Sequence, residues 1–124
     1  MREFLFVFIG GGLGSICRYI IAIILKETNS VYPWPTLLAN AIGSLVIGIL
    51  SDQLIRNTSI YSSNSLFWII GFCGGLTTFS TFALENLTLF RTSGTTSLII
   101  YSSLTYFVCL GMVVIGSSIS KLIN

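Results

Sequence analysis

Hydrophobic residues run along this chain in four long blocks, separated by short stretches where Asn, Ser, Thr, Gly and Pro collect. A helix that crosses the hydrocarbon of a bilayer needs about 20 mostly apolar residues. Residues 4–25, 35–55, 66–89 and 98–119 each reach that length. The pattern predicts an all-α integral membrane protein with four transmembrane helices in one domain, 1–124. Short connections are expected at 26–34, 56–65 and 90–97. Pro33 and Pro35 flank Trp34 just before the second block, which suits a helix start beside an interfacial aromatic. The first block exceeds the roughly 7–15 apolar residues of a secretory signal, so it is expected to stay as a helix.

Composition agrees: of 124 residues, 53% are hydrophobic and 8% charged. That is too little charge to coat a water-soluble domain, so lipid is the expected surrounding solvent and the location a membrane crossed several times. The formal net charge of +2 is small and dispersed, which gives no footprint for nucleic acid. There is no histidine, and Cys17, Cys73 and Cys109 stand singly in apolar segments without pairing or metal-ligand spacing. They read as small packing residues. A nucleophile with its base, or a cluster of metal ligands, is missing from the sequence, so an intramembrane enzyme is not expected.

Alternating the crossings places Arg2, Arg56 and Lys121 on the side of the termini, against Lys26 and Arg91 opposite, with Arg18 inside the first span. Orientation follows such bias, and here it is close to a tie. A near tie permits insertion both ways and hence an antiparallel, dual-topology dimer; a single orientation set by one extra charge is the other outcome. Four helices leave lipid around much of each circumference, so enclosing a polar path calls for a second subunit. Gly10, Gly14, Gly43, Ser44, Gly48, Gly111 and Gly116 are small enough to let helices approach closely.

Polar groups inside a membrane span usually face a cavity, a partner or a path. Arg18, a turn and a half before the end of the first block, either snorkels to the interface or reaches a bound anion. Asn40 either clamps two helices or offers amide donors to a path. Asp52 and Gln53, where the second helix emerges, are expected in water. The third block is the least greasy, because Gly71-Phe72-Cys73-Gly74-Gly75-Leu76-Thr77-Thr78-Phe79-Ser80-Thr81-Phe82 sets three glycines and four hydroxyls near the midplane. Flexible glycines and back-bonding hydroxyls favour a break in the helix, which frees backbone carbonyls and amides to bind ions. A Gly/Thr-rich packing face is the alternative.

Phe79 and Phe82 share a helical face with Ser80 and Thr81 alongside, and Glu85 follows one turn on. Aromatic edges are electropositive, so two rings turned edge-on can stabilise a small anion without a fixed charge; plain packing is the ordinary role of such a pair. In the fourth block Tyr101, Thr105 and Cys109 recur at spacing four and draw a weakly polar stripe, with Ser102 and Ser103 as alternative polar contacts.

The Gly-rich first block ending in Arg18-Tyr19, Asn40 followed by Gly43 and Gly48, and above all Gly74-Gly75-Leu76-Thr77-Thr78-Phe79-Ser80-Thr81-Phe82 resemble the bacterial fluoride channels of the CrcB or Fluc family. The resemblance covers essentially the whole chain. It implies a fluoride-specific channel of the bacterial plasma membrane that exports the toxic ion passively, built as an antiparallel homodimer with two pores and a central structural sodium. By motif the sodium falls on the backbone carbonyls of Gly74 and Thr77. Phe79, Phe82 and Asn40 match pore-lining residues, with Ser80, Thr81, Tyr101 and Thr105 along the path and Arg18 and Glu85 accessory to it. Cys109 departs from the hydroxyl expected next in that track. A paralogous chain is the alternative partner to a second copy. A small multidrug exporter, also a four-helix antiparallel dimer, needs an embedded acid in its first helix, where this chain has only Glu3 at the very start.

Overall fold

The computed structural model describes residues 1–26, 30–56 and 62–123, with the side chains of 52–56 left out. The expected connections at 26–34 and 56–65 therefore lie partly outside the described residues, as do the side chains of Asp52, Gln53 and Arg56. All regular elements among the described residues are helical. Helix α1 is Arg2–Ile24 and α2 is Trp34–Arg56. Helix α3 (63–76) is composite, with an α-helical turn at Ser63–Ser65, a π-helical stretch at Leu66–Cys73 and a second α-helical turn at Gly74–Leu76. Thr77 and Thr78 interrupt it, Thr77 taking an extended conformation with φ −81° and ψ 155°.

Helix resumes over Phe79–Ile123 with one non-helical residue, Gly94, at φ 84° and ψ 177°. We call its limbs α4 (79–93) and α5 (95–123). An L side chain at that φ would crowd its own backbone, so a glycine sits where the chain turns. The limbs fold back on one another, since Ser102 Oγ donates to Asn86 Oδ1 at 2.7 Å and Tyr101 Oη to Glu85 Oε2 at 2.9 Å. Residues 90–97, expected as a connection, are thus helical apart from Gly94. The polar residues there need no loop because Thr92 and Ser97 donate to the carbonyls four residues back, at 2.9 and 3.3 Å.

Local chemistry sets the other ends. Ser62 Oγ caps α3 by accepting the Ser65 N–H at 3.3 Å, and Thr78 Oγ1 caps α4 by accepting the Thr81 N–H at 3.3 Å. In the first turn of α2, Pro35 has no N–H to leave unpaired.

Two close crossings organise the packing. Helix α1 lies along α3 with Gly10 against the Phe67 carbonyl and Gly71, Gly14 against the Phe72 carbonyl, and Gly75 against the Gly11 carbonyl. Helix α2 crosses α5 where Gly48 and Gly116 face each other's backbones. Gly111, expected among the close contacts, has open space around it in the chain. Stretches long and apolar enough to cross a membrane are Arg2–Ile24, Trp34–Ser51 and Ser63–Ile123. Large apolar side chains such as Phe4, Phe8 and Ile24 point outward, the reverse of a water-soluble fold. The chain is an all-helical integral membrane protein.

Candidate ion pathway at the helix break

In an uninterrupted α-helix the Thr78 N–H would donate to the Gly74 carbonyl and the Thr81 N–H to the Thr77 carbonyl. Side chains take both donors instead. Asn40 Oδ1 accepts from Thr78 N at 2.8 Å, and Thr78 Oγ1 accepts from Thr81 N at 3.3 Å. Thr77 closes the preceding turn, its N–H and Oγ1 donating to the Cys73 carbonyl at 2.8 and 2.7 Å. Two donors released by the break thus find side-chain acceptors, and the carbonyls of Gly74 and Thr77 lose the partners a straight helix would give them.

The same bonds orient Asn40. Its oxygen must face the Thr78 N–H, so the amide nitrogen carries the donors, one of which reaches the Thr78 carbonyl at 3.4 Å. Asn40 joins α2 to the break and keeps a second N–H to offer. Both readings of this residue from the sequence, clamp and donor, are compatible with its position.

Two open grooves flank Thr78, which lines both. The first, of about 470 Å³, gathers Asn40, Thr77, Phe79, Phe82, Thr105 and Cys109. The Phe79 and Phe82 rings are 5.8 Å apart and tilted by 45°, and Phe79 is 80% exposed. Thr105 is buried, with Oγ1 unpaired among the described residues. Ser44 and Tyr106 add hydroxyls to those of the threonines and the amide of Asn40, and none of the lining residues carries a formal charge.

The second groove, of about 540 Å³, holds Arg18, Lys26, Thr36, Thr81 and Glu85. Thr36 Oγ1 donates to Glu85 Oε1, while Tyr101 Oη donates to Glu85 Oε2 and lies 3.3 Å from the Pro33 carbonyl. Each oxygen of the Glu85 carboxylate is thus met by a neutral hydroxyl from a different helix. Tyr101 is completely buried, with its ring 5.6 Å from that of Phe82. It links the two grooves from behind.

The structure thus brings Asn40, Phe79, Phe82 and Thr105 to one groove, and Arg18, Thr81 and Glu85 to the other. Tyr101 lies between them, and Ser80 is exposed beside the break, 3.3 Å from Thr78 Oγ1. Gly74 is exposed and lines neither groove. Sequence reasoning passed over Thr36 and Thr78 as site residues. A signal for Thr36 was present, because Thr36, Asn40 and Ser44 recur at spacing four and mark one polar face of α2. Thr78 carried no such signal, since its role depends on a break whose position a run of glycines and threonines leaves open.

The sequence model of the family described as CrcB-like protein, Camphor Resistance (CrcB), matches residues 5–117. A Flavobacterium psychrophilum protein named Fluoride-specific ion channel FluC is 33% identical over 122 residues, 98% of each chain. Proteins of the same name from Methanococcus maripaludis and Azobacteroides pseudotrichonymphae are 39% and 34% identical. The first covers 94% of this chain and 93% of its own length, the second 82% of each.

Proposed function

The chain belongs to the CrcB-like family, and on that premise we propose that it is a fluoride-specific ion channel, letting toxic cytoplasmic fluoride leave through the plasma membrane. The observation that carries this reading is the groove at the helix break, where aromatic rings, an oriented amide and a buried hydroxyl meet without a fixed charge. Fluoride is small and strongly hydrated, so a pore must replace lost waters with donors. A formal positive charge there would hold the ion too well to release it. Neutral donors and electropositive ring edges stabilise it while leaving escape fast. Chloride is larger, so a narrow path disfavours it. Passage changes no covalent bond, and the family is one of channels rather than enzymes.

Four crossings are the reading that the length of Ser63–Ile123 supports, since its 61 residues would stretch about 90 Å if straight, three times the hydrocarbon thickness. The turn at Gly94 divides them into two crossings, the first of them interrupted at Thr77 and Thr78. An antiparallel, dual-topology dimer supplies the missing wall. The exposure of Phe79 and the openness of its groove favour a second subunit there, and the charge balance along the chain favours either direction of insertion. A second copy is the simplest partner, a paralogous chain the other.

Sodium suits the carbonyls of Gly74 and Thr77, because the hydrogen bonds of Asn40 and Thr78 take away their helical donors and hard cations prefer such oxygens. Two carbonyls from each subunit would hold the ion, whose positive charge would neutralise exposed carbonyl dipoles and brace the break; it is structural and not transported. The reading is tested in liposomes loaded with fluoride or chloride and monitored by ion-selective electrodes. Rapid fluoride release with chloride retained is the expected result. Equal release of both, or of neither, would end the proposal. Transport that persists undiminished after preparation without sodium would remove the sodium and leave the channel.

A further inference from the structure

We infer that Asn86 and Ser102, which line neither groove, form a clamp that positions Tyr101 against Phe82 and Glu85 and thereby tunes the pathway. The inference rests on the channel reading and concerns residues that reading does not use. Asn86 Nδ2 donates to the Phe82 carbonyl at 2.9 Å, one turn back in α4, while its Oδ1 accepts from Ser102 Oγ across the hairpin at 2.7 Å. The amide thus ties the backbone under the Phe82 ring to the residue next to Tyr101. Its orientation is set by the same logic as that of Asn40, because a carbonyl can only accept and so demands the nitrogen.

Three contacts then cross between α4 and α5 within two turns. The rings of Phe82 and Tyr101 lie 5.6 Å apart, Tyr101 Oη donates to Glu85, and Ser102 donates to Asn86. The first two involve groups that line the grooves; the third does not. Rotation of α5 by a fraction of a turn would separate Tyr101 from Glu85. A directional bond between two half-buried polar side chains adds a specific resistance to that rotation. Asn86 and Ser102 are positioning residues, acting on the ion only through Tyr101, Glu85 and Phe82.

The test measures fluoride efflux per folded protein and melting temperature for Ser102→Ala, Ser102→Thr, Tyr101→Phe and the Ser102→Ala/Tyr101→Phe pair. Ser102→Ala is expected to slow efflux about fivefold, and Ser102→Thr, which keeps the hydroxyl, to restore it. Once Tyr101 has lost its hydroxyl, adding Ser102→Ala should leave the rate unchanged and lower melting by less than it does alone, since only the Ser102–Asn86 bond is then left to lose. A Ser102→Ala protein that melts earlier yet conducts at the original rate would overturn the clamp, as would losses that simply add in the double variant. If the unmodified protein carries no fluoride, the channel reading fails instead. The melting temperatures then decide the clamp alone, additive shifts against it and non-additive shifts for it.

Discussion

The two sides of the break at Thr77 and Thr78 are held by different forces. On the amino side, α3 meets α1 backbone to backbone, through Gly10, Gly14, Gly71 and Gly75. On the carboxyl side, α4 is joined to α2 and α5 by side-chain hydrogen bonds, Thr36 and Tyr101 to Glu85 and Ser102 to Asn86. Lipid tails are as apolar as leucine, so a membrane helix cannot be fastened by hydrophobicity alone; contact area and hydrogen bonding must do it. This chain uses the first on one side and the second on the other. The amino side thereby becomes a rigid support intolerant of size, and the carboxyl side a polar surface whose groups can be altered one at a time.

That contrast breaks most visibly at Gly75. A valine there would drive its Cβ into the Gly11 carbonyl, and neither backbone can give way without separating α1 from α3. Gly75→Val is expected to cost about 3 kcal/mol or more and to leave little monodisperse protein after extraction. Recovery at normal yield and melting temperature would mean that the glycine contact is not what holds this side. Asn40→Leu comes next, because it removes the acceptor for the Thr78 N–H at the junction of the two sides. A loss of about 2 kcal/mol is expected, with transport weakened beyond what the remaining folded protein accounts for. An unshifted melt would show that the break needs no such support.

On the carboxyl side the contrast predicts function to fail before folding. Phe79→Ile and Phe82→Ile keep bulk while removing the ring edge, so stability should move by less than about 1.5 kcal/mol. Fluoride efflux per folded protein should fall about tenfold, the equivalent of roughly 1.4 kcal/mol in the barrier. Destabilised protein that conducts at the original rate would return both rings to ordinary packing. The smallest effect belongs to Gly12, which has nothing within 4 Å of the position a Cβ would take, although it sits beside the tight contact of α1. Gly12→Ala should leave flux unchanged and shift stability by no more than about 1 kcal/mol, towards the folded state if at all. A large loss there would mean that α1 tolerates no added size on any face, and would dissolve the distinction between its faces.

Much of this was legible from residue order. Helical, membrane-embedded structure follows from the length of the apolar blocks and the scarcity of charge, since a bilayer admits little else that satisfies every backbone group internally. The interruption of the third block was legible too, because Gly74-Gly75 and Thr77-Thr78 weaken and compete with helical hydrogen bonding where they stand. Spacing alone put Phe79 and Phe82 on one face. Local properties of this kind reach only a few residues along the chain.

Tertiary structure decided the rest. The π-helical form of Leu66–Cys73 has no mark in composition, and the connection expected over 90–97 narrows to a turn at Gly94 between two helical limbs that fold back on each other. That Thr36 and Tyr101 would meet on Glu85 depended on where α2 and α5 lie relative to α4, partners 49 and 16 residues away in sequence. Asn40 reads from the sequence as clamp or donor, and only the helix crossing gave its oxygen the Thr78 N–H to accept, which is compatible with both roles. A polar side chain in a span must find a partner, and residue order states that demand; which atom answers it depends on how the helices cross, and close glycine contacts between α1 and α3 and between α2 and α5 set those crossings.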